Sequence, residues 1–357
     1  MRILLLSETL NRKRGYGRFA YDLAEALTGI GHTVTALVVR GEEAAMVARP
    51  VLLKSRRLGM LINPFIIAWY ARRNDIIHAL DGYPYGIYAA LAAVLLGKRN
   101  VITMQGTYAV EPLTHGIKGG LLAWAYKKAD ALTAISRFTK EQVLQRINGL
   151  DISVINHGVR HNSIESSGPP RIEGRYILSV GTLIERKGYH ISLPAFASLR
   201  RSIPDVKYVI VGKAYSPEYR RYLENIIESE RMQQSVLFVE NISEQDLANF
   251  YAHAELFLLP SVNQGVHFEG FGLVYLEAGL YGVPVVAARG SGAEDAVEDG
   301  LTGFLVPQED VAQTTAAMLR IMTDKEVRKK MGDANRHKAL QSDWLSIARN
   351  YVKVYAS

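Results

Sequence analysis

Short continuous apolar runs alternate with longer stretches of helical period along the whole chain. In the first half the runs are residues 2–7, 33–39, 75–80, 100–104, 131–135 and 153–155; in the second they are 176–180, 207–211, 236–239, 256–259, 284–287 and 303–306. Segments such as 18–28, 137–147, 217–231 and 270–280 repeat their apolar side chains at helical spacing. Runs that are apolar throughout, rather than alternating, belong to strands covered on both faces, and helices between them imply parallel pairing. Two such series predict an α/β protein of two doubly wound, Rossmann-like domains, with ligands expected in a cleft where the domains face each other.

Residues 163–170, which include Ser166, Ser167, Gly168, Pro169 and Pro170, suit neither element and read as a linker. The expected domains are residues 1–165 and 172–340. A closing amphipathic helix over 343–355 carries Trp344, Ile347, Ala348, Tyr351, Val354 and Tyr355 on one face.

Composition narrows the classes. At 357 residues, 48% hydrophobic and 22% charged, the chain is ordinary for a globular protein. With no cysteine it has neither a disulfide framework nor a thiolate metal site nor a cysteine nucleophile. The N-terminal apolar run, Ile3 to Leu6, is too short for a secretory signal, and residues 58–71 are interrupted by Asn63 and Pro64 and too short for a membrane span. A cytoplasmic protein is expected. The net charge of +7 is uneven: residues 1–160 hold 21 Lys and Arg against 11 Asp and Glu, a net of +10 that leaves −3 for the rest.

Three motifs follow strands, where open parallel sheets bind ligands. Gly15-Tyr16-Gly17-Arg18 opens a helix after the first strand and suits an anion at a helix N-terminus, although Ala20 replaces the last glycine of the dinucleotide pattern. A plain tight turn is the competing reading. Gly181-Thr182-Leu183-Ile184-Glu185-Arg186-Lys187-Gly188 sets two cations before a glycine, which suits a diphosphate as well as a solvated loop. In Glu269-Gly270-Phe271-Gly272-Leu273-Val274-Tyr275-Leu276-Glu277, two carboxylates stand eight residues apart. That is about two helical turns, placing both on one side of a glycine-rich helix N-terminus. Such carboxylates can hold hydroxyls on either side of a diphosphate; a dipole-stabilising glutamate plus a surface glutamate is the competing reading.

The last block continues through Gly282-Val283-Pro284-Val285-Val286, Gly290-Ser291-Gly292 and Glu298-Asp299-Gly300-Leu301-Thr302-Gly303. Together with Gly31-His32-Thr33-Val34, Ala134-Ile135-Ser136, Asn156-His157-Gly158-Val159 and Lys187-Gly188, it resembles the retaining, family 4 nucleotide-sugar glycosyltransferases of the GT-B fold. The resemblance spans nearly the whole chain. It implies a donor site in which Glu269 contacts the sugar, Gly270, Phe271, Gly272 and Leu273 offer backbone to the diphosphate, and Glu277 holds the ribose. Lys187 and Arg186, beside Gly181, would neutralise the phosphates, and Gly15 and Gly17 would approach the diphosphate from the first domain. Residues 342–357 are expected to cross back onto that domain, which holds the acceptor. The chain departs from the family at Thr182, where arginine is usual and Arg186 is the substitute, and at Gln105, where histidine is common. Gln105 can position a sugar hydroxyl but cannot act as an acid or base at neutral pH. His157 is an alternative near the site, with a structural role as the competing reading.

The implied reaction moves a sugar from a nucleotide diphosphate to a hydroxyl of a glycan or lipid-linked acceptor with retention. The leaving diphosphate takes the acceptor proton, without a metal or any cofactor beyond the donor. Residues 54–73 set an apolar block between basic clusters, which fits either an anionic membrane surface or a helix packed on the sheet. A peripheral position on the inner face of the cell membrane follows from the first reading. A sugar-nucleotide epimerase of the same architecture is the rival enzyme. The basic first half raises nucleic-acid binding, but no nucleic-acid motif accompanies it.

Overall fold

A computed structural model describes residues 1–12, 15–39, 47–160, 168 and 171–357. The linker expected over 163–170 therefore lies outside the described residues except for Gly168. The chain forms two compact units: Met1–Gly158 with Trp344–Ser357, and Val159–Asp343.

In the first unit the parallel strands are β1 (Arg2–Leu6), β2 (Thr33–Val39), β3 (Ala48–Leu52), β4 (Ile76–Ala79), β5 (Arg99–Met104), β6 (Ala131–Ala134) and β7 (Ile152–Val154), in the order β3-β2-β1-β4-β5-β6-β7. The strand order reverses between β1 and β4. Ile3, Leu4, Leu5 and Leu6 are all fully buried, as a central strand covered on both faces requires. Strand β3 was not expected from the sequence. Its run is broken by Arg49 and Pro50, and a proline without an N–H is tolerated because β3 is the sheet edge.

The second unit repeats the plan with β8 (Tyr176–Val180), β9 (Lys207–Val211), β10 (Val236–Val239), β11 (Leu256–Leu259), β12 (Val285–Ala288) and β13 (Gly303–Val306), ordered β10-β9-β8-β11-β12-β13. Every pairing is parallel, and the reversal falls between β8 and β11.

The closing helix, Trp344–Ala356, packs on the helix Gly15–Gly29. Trp344 lies 5.7 Å from Phe19 between ring centroids, and His157 stacks on Phe19 at 4.7 Å. Deeper in, His78 on β4 is fully buried, with Nδ1 2.7 Å from the Tyr355 hydroxyl and Nε2 2.7 Å from the Thr103 hydroxyl. Thr103 also meets the Thr133 hydroxyl at 2.8 Å. The network satisfies polar atoms that would otherwise be orphaned by the packing of this helix on the sheet. Burial pushes His78 down to about 3 and His157 down to about 4.

Candidate functional site

The loops that leave β8 and β11, the two strands at the reversal of the second sheet, converge. After β8 a short turn, Glu185–Lys187, ends in Gly188, whose positive φ and position would drive an added Cβ to 2.0 Å from the Pro260 carbonyl oxygen. Only glycine fits there, and its presence lets the Arg186–Lys187 turn lie directly on the loop after β11. The Val262 amide donates to the Arg186 carbonyl at 2.9 Å and fixes that approach.

The buried carboxylate of Glu269 stands in this junction. One oxygen is 2.5 Å from Lys187 Nζ and 3.4 Å from Arg186 Nη1, and it accepts the Ser261 hydroxyl at 3.3 Å. Burial pushes the Glu269 carboxyl up, but the charges of Lys187 and Arg186 and the donors on Lys187 and Ser261 outweigh it. The net direction is down, so Glu269 is an anion at neutral pH. Lys187 and Arg186 thus share one buried carboxylate in a compact cluster mostly removed from water.

The helix that follows begins at Leu273, with Gly272 as a left-handed cap at φ 84° and no side-chain cap. No capping side chain serves its first N–H groups, of which that of Tyr275 donates to the Gly272 carbonyl at 3.0 Å. Gly292 approaches Gly270 so closely that an added Cβ would lie 2.0 Å from the Gly270 oxygen, and its amide donates to the Glu269 carbonyl at 2.8 Å. Phe271 is buried beneath this turn.

Here the two-turn argument from sequence fails, because residues 269–272 are not helical and helical spacing cannot relate Glu269 to Glu277. The two carboxylates take different partners. Glu277, also buried, accepts the Tyr251 hydroxyl at 2.9 Å, and Tyr251 is clamped by stacking on Tyr281 and Phe257. Tyr251 was not anticipated from the sequence and carries no motif; Ser261 was also missed, although its place just after a buried strand is itself a signal. Gly181 closes β8, and its carbonyl accepts the Tyr189 hydroxyl at 2.8 Å.

The remaining candidates belong to the first unit. Gly15 and Gly17 lie inside the first helix rather than before it, and a Cβ on Gly17 would lie 2.2 Å from the Asn11 carbonyl oxygen. Close packing therefore already demands glycine at 17. Gln105 is buried after β5, with its amide donating to the Leu80 carbonyl at 2.5 Å. His157 is half-buried and stacks on Phe19 at the margin of the first unit's core.

Two glycosyltransferase family models match the chain: Glycosyltransferase Family 4 over residues 13–163, and Glycosyl transferases group 1 over residues 163–338. The chain belongs to the family 4, group 1 glycosyltransferases. It is 31% identical over 226 residues to a GDP-mannose-dependent alpha-(1-6)-phosphatidylinositol monomannoside mannosyltransferase of Mycolicibacterium smegmatis, a match covering 60% of this chain and 58% of that protein. With a phosphatidyl-myo-inositol mannosyltransferase of the same organism it shares 25% identity over 352 residues, covering 94% of this chain and 88% of that one. The crystal structure of Anabaena HepE in complex with UDP superposes with a TM-score of 0.83 at 20% identity over the full length of both chains, which shows the shared GT-B fold. As a glycosyltransferase of this family, the chain carries its ionised Lys187–Glu269 pair at the topological switch point of the second unit.

Proposed function

We propose that the protein transfers a sugar from a nucleotide diphosphate to an acceptor hydroxyl with retention of anomeric configuration. The observation that carries this reading is the junction of Lys187, Arg186 and Glu269 beside the uncapped N-terminus at Leu273. Cations and the amides of a helix N-terminus at that point suit a diphosphate leaving group, and a buried anion beside them suits sugar hydroxyls. In the reaction the bond from the anomeric carbon to the diphosphate breaks and the acceptor oxygen bonds to that carbon on the same face. The acceptor proton passes to the departing diphosphate oxygen. Lys187 and Arg186 stabilise the charge that develops there; Glu269 positions the sugar; Glu277, oriented by Tyr251, holds the ribose; Gln105 positions a hydroxyl on the acceptor side.

The mannosyltransferase relatives make GDP-mannose the first donor to test, and they give the epimerase alternative no support. Calorimetric titration with GDP, UDP and ADP should reveal one preferred nucleotide, and Glu277→Gln should weaken it about ten-fold by removing a charged acceptor. Absence of binding by all three would overturn the reading.

The acceptor is assigned to an anionic membrane surface. The helix Arg56–Ala71 buries Asn63, Ile67 and Ala71 against the first unit. Its other face exposes Leu58, Leu61, Phe65 and Trp69, the last three at 68%, 66% and 60%. These positions form one stripe at helical spacing. Exposed Lys54, Arg57, Arg72 and Arg73 flank it, and that charge selects anionic lipid over other apolar partners. Among the described residues no helix is long and apolar enough to cross a membrane. Vesicles containing phosphatidylserine should sediment the protein more than neutral vesicles do, and Leu61→Ser/Phe65→Ser/Trp69→Ser should lower that partition at least about ten-fold. Equal partition to neutral and anionic vesicles would end the membrane assignment.

A further inference from the structure

The sheet of the second unit ends in two edge strands, β10 and β13, and the chain treats them differently. At β13 the Asp299 carboxylate accepts the Leu305 amide at 2.8 Å, and the Gly300 amide donates to the Gly303 carbonyl at 2.8 Å. A loop of the chain itself therefore covers that edge, as native sheets commonly arrange. At β10 the amides of Tyr208 and Gly212 donate to the carbonyls of Ser235 at 2.7 Å and Val239 at 2.9 Å. Alternate residues of a parallel strand face the same neighbour, so Ser235, Leu237 and Val239 turn toward β9 while Val236 and Phe238 turn outward. The Val236 amide folds back to the Met232 carbonyl at 3.0 Å. The Val236 carbonyl and both backbone groups of Phe238 have no partner among the described residues.

A cavity of about 340 Å³ lies beside this open edge. It is lined by Glu224, Ile227 and Glu228 of the helix Pro217–Ser229, by Gln233, and by Val236 and Phe238 of β10. A groove between a helix and an unpaired edge is where an extended peptide adds a strand and packs alternate side chains. Ile227, Val236 and Phe238 give it an apolar part, and its lining holds two carboxylates and no cation. Arg220 is already committed: its guanidinium lies 3.6 Å from the centre of the Phe238 ring, with Nε 2.7 Å from Glu224 and Nη1 3.5 Å from Glu240. One cation therefore serves two carboxylates, and exposed Glu228 makes no ion pair among the described residues. A second copy of this chain fits poorly, because two-fold pairing of the β10 edges would bring the same acidic groups together. The charge selects a cationic occupant.

We propose that β10 and the helix Pro217–Ser229 form a docking groove for an extended cationic segment of a partner protein. The segment adds a strand through the outward backbone of Phe238, lays an apolar side chain over Ile227 and Val236, and sets a lysine or arginine at Glu228. Strand β9 stands between this edge and β8, and none of the groove's residues belongs to the Lys187–Glu269 junction.

The probe is a capped seven-residue peptide with lysine, valine, valine and lysine at its odd positions and threonine at the even ones, so that lysine and valine share one face of a strand. Calorimetric titration into the full chain should show saturable binding, about ten-fold or more tighter than for the same peptide with glutamate in place of lysine. Glu228→Lys should abolish or reverse that preference, and an unchanged thermal midpoint shows that this exposed substitution keeps the fold. A second measurement needs no altered protein. N-methylation at one alternate set of peptide positions should abolish binding, and at the other set should spare it, because an added strand turns only alternate amides to the edge. No saturable binding, equal binding of the lysine and glutamate peptides, or equal effects of the two methylated sets would each overturn the proposal. A preference that survives Glu228→Lys overturns it too. So does a concentration-dependent dimer in sedimentation that Phe238→Pro dissolves, since the edge then belongs to a second copy of the chain.

Discussion

Lys187→Ala is expected to lower kcat/KM for nucleotide-sugar turnover roughly 10–150-fold, the worth of one charge-assisted contact to a developing negative charge. The same change also acts on the resting protein. Glu269 is buried, and Lys187 at 2.5 Å is its nearest cation; without it, Arg186 at 3.4 Å and the Ser261 hydroxyl must carry the charge. Breaking a buried pair typically destabilises by about 3–5 kcal/mol, and Arg186 should hold the loss at or below the lower end. The two effects are separable. Adding Glu269→Gln to Lys187→Ala removes the stranded charge, so thermal stability should recover while turnover stays low. Turnover near the wild-type level in Lys187→Ala would show that these cations do not serve the diphosphate. Recovery of turnover in the double variant would show that the single change acted only through folding.

The α/β class and most strands were legible because the signal was simple: strands such as Tyr176–Val180 and Leu256–Leu259 are buried on both faces and apolar throughout. Strand β3 escaped because edge position relaxes that requirement and admits Pro50. Glycines announced the donor motifs, since Gly188 and Gly272 stand where a side chain would collide with backbone or with Tyr275. What the sequence could not supply was pairing across the fold. Local spacing suggested that Glu269 and Glu277 share a helix face, but Glu269 is set by residues some eighty positions earlier, and Glu277 by Tyr251. The first unit's buried network was invisible for the same reason: His78 and Tyr355 meet across 277 residues. A lone histidine in an apolar run gives no hint of such a partner.

That network leads to the second large effect, a loss of stability in mild acid. In the folded chain His78 stays neutral down to about pH 3 and His157 down to about pH 4, because burial opposes their charged forms. In the unfolded chain each takes up a proton near pH 6.5. Below that value the unfolded state binds more protons than the folded state, so stability is complete above about pH 6.5 and falls as the pH is lowered. Each histidine contributes a slope of about 1.4 kcal/mol per pH unit, and the two together about 2.7, until their folded values are reached. The Asp81 carboxyl of the first unit, pushed up by burial, works in the opposite sense, because the folded state keeps a proton there that the unfolded state has released; it offsets the share of about one histidine, and the two histidines together outweigh it. The measurement is direct, since all three tryptophans, Trp69, Trp124 and Trp344, belong to the first unit and their fluorescence reports its urea unfolding alone. Glu269 and the other charges of the second unit do not enter that signal. His78→Gln should lower the midpoint at pH 7.5, because glutamine cannot reproduce both hydrogen bonds at 2.7 Å, and should flatten the acid slope, because a site that takes a proton only on unfolding is gone. A urea midpoint that stays level from pH 7 to pH 5, or an unchanged slope in His78→Gln, would mean that the closing helix is not held on the sheet by a neutral histidine.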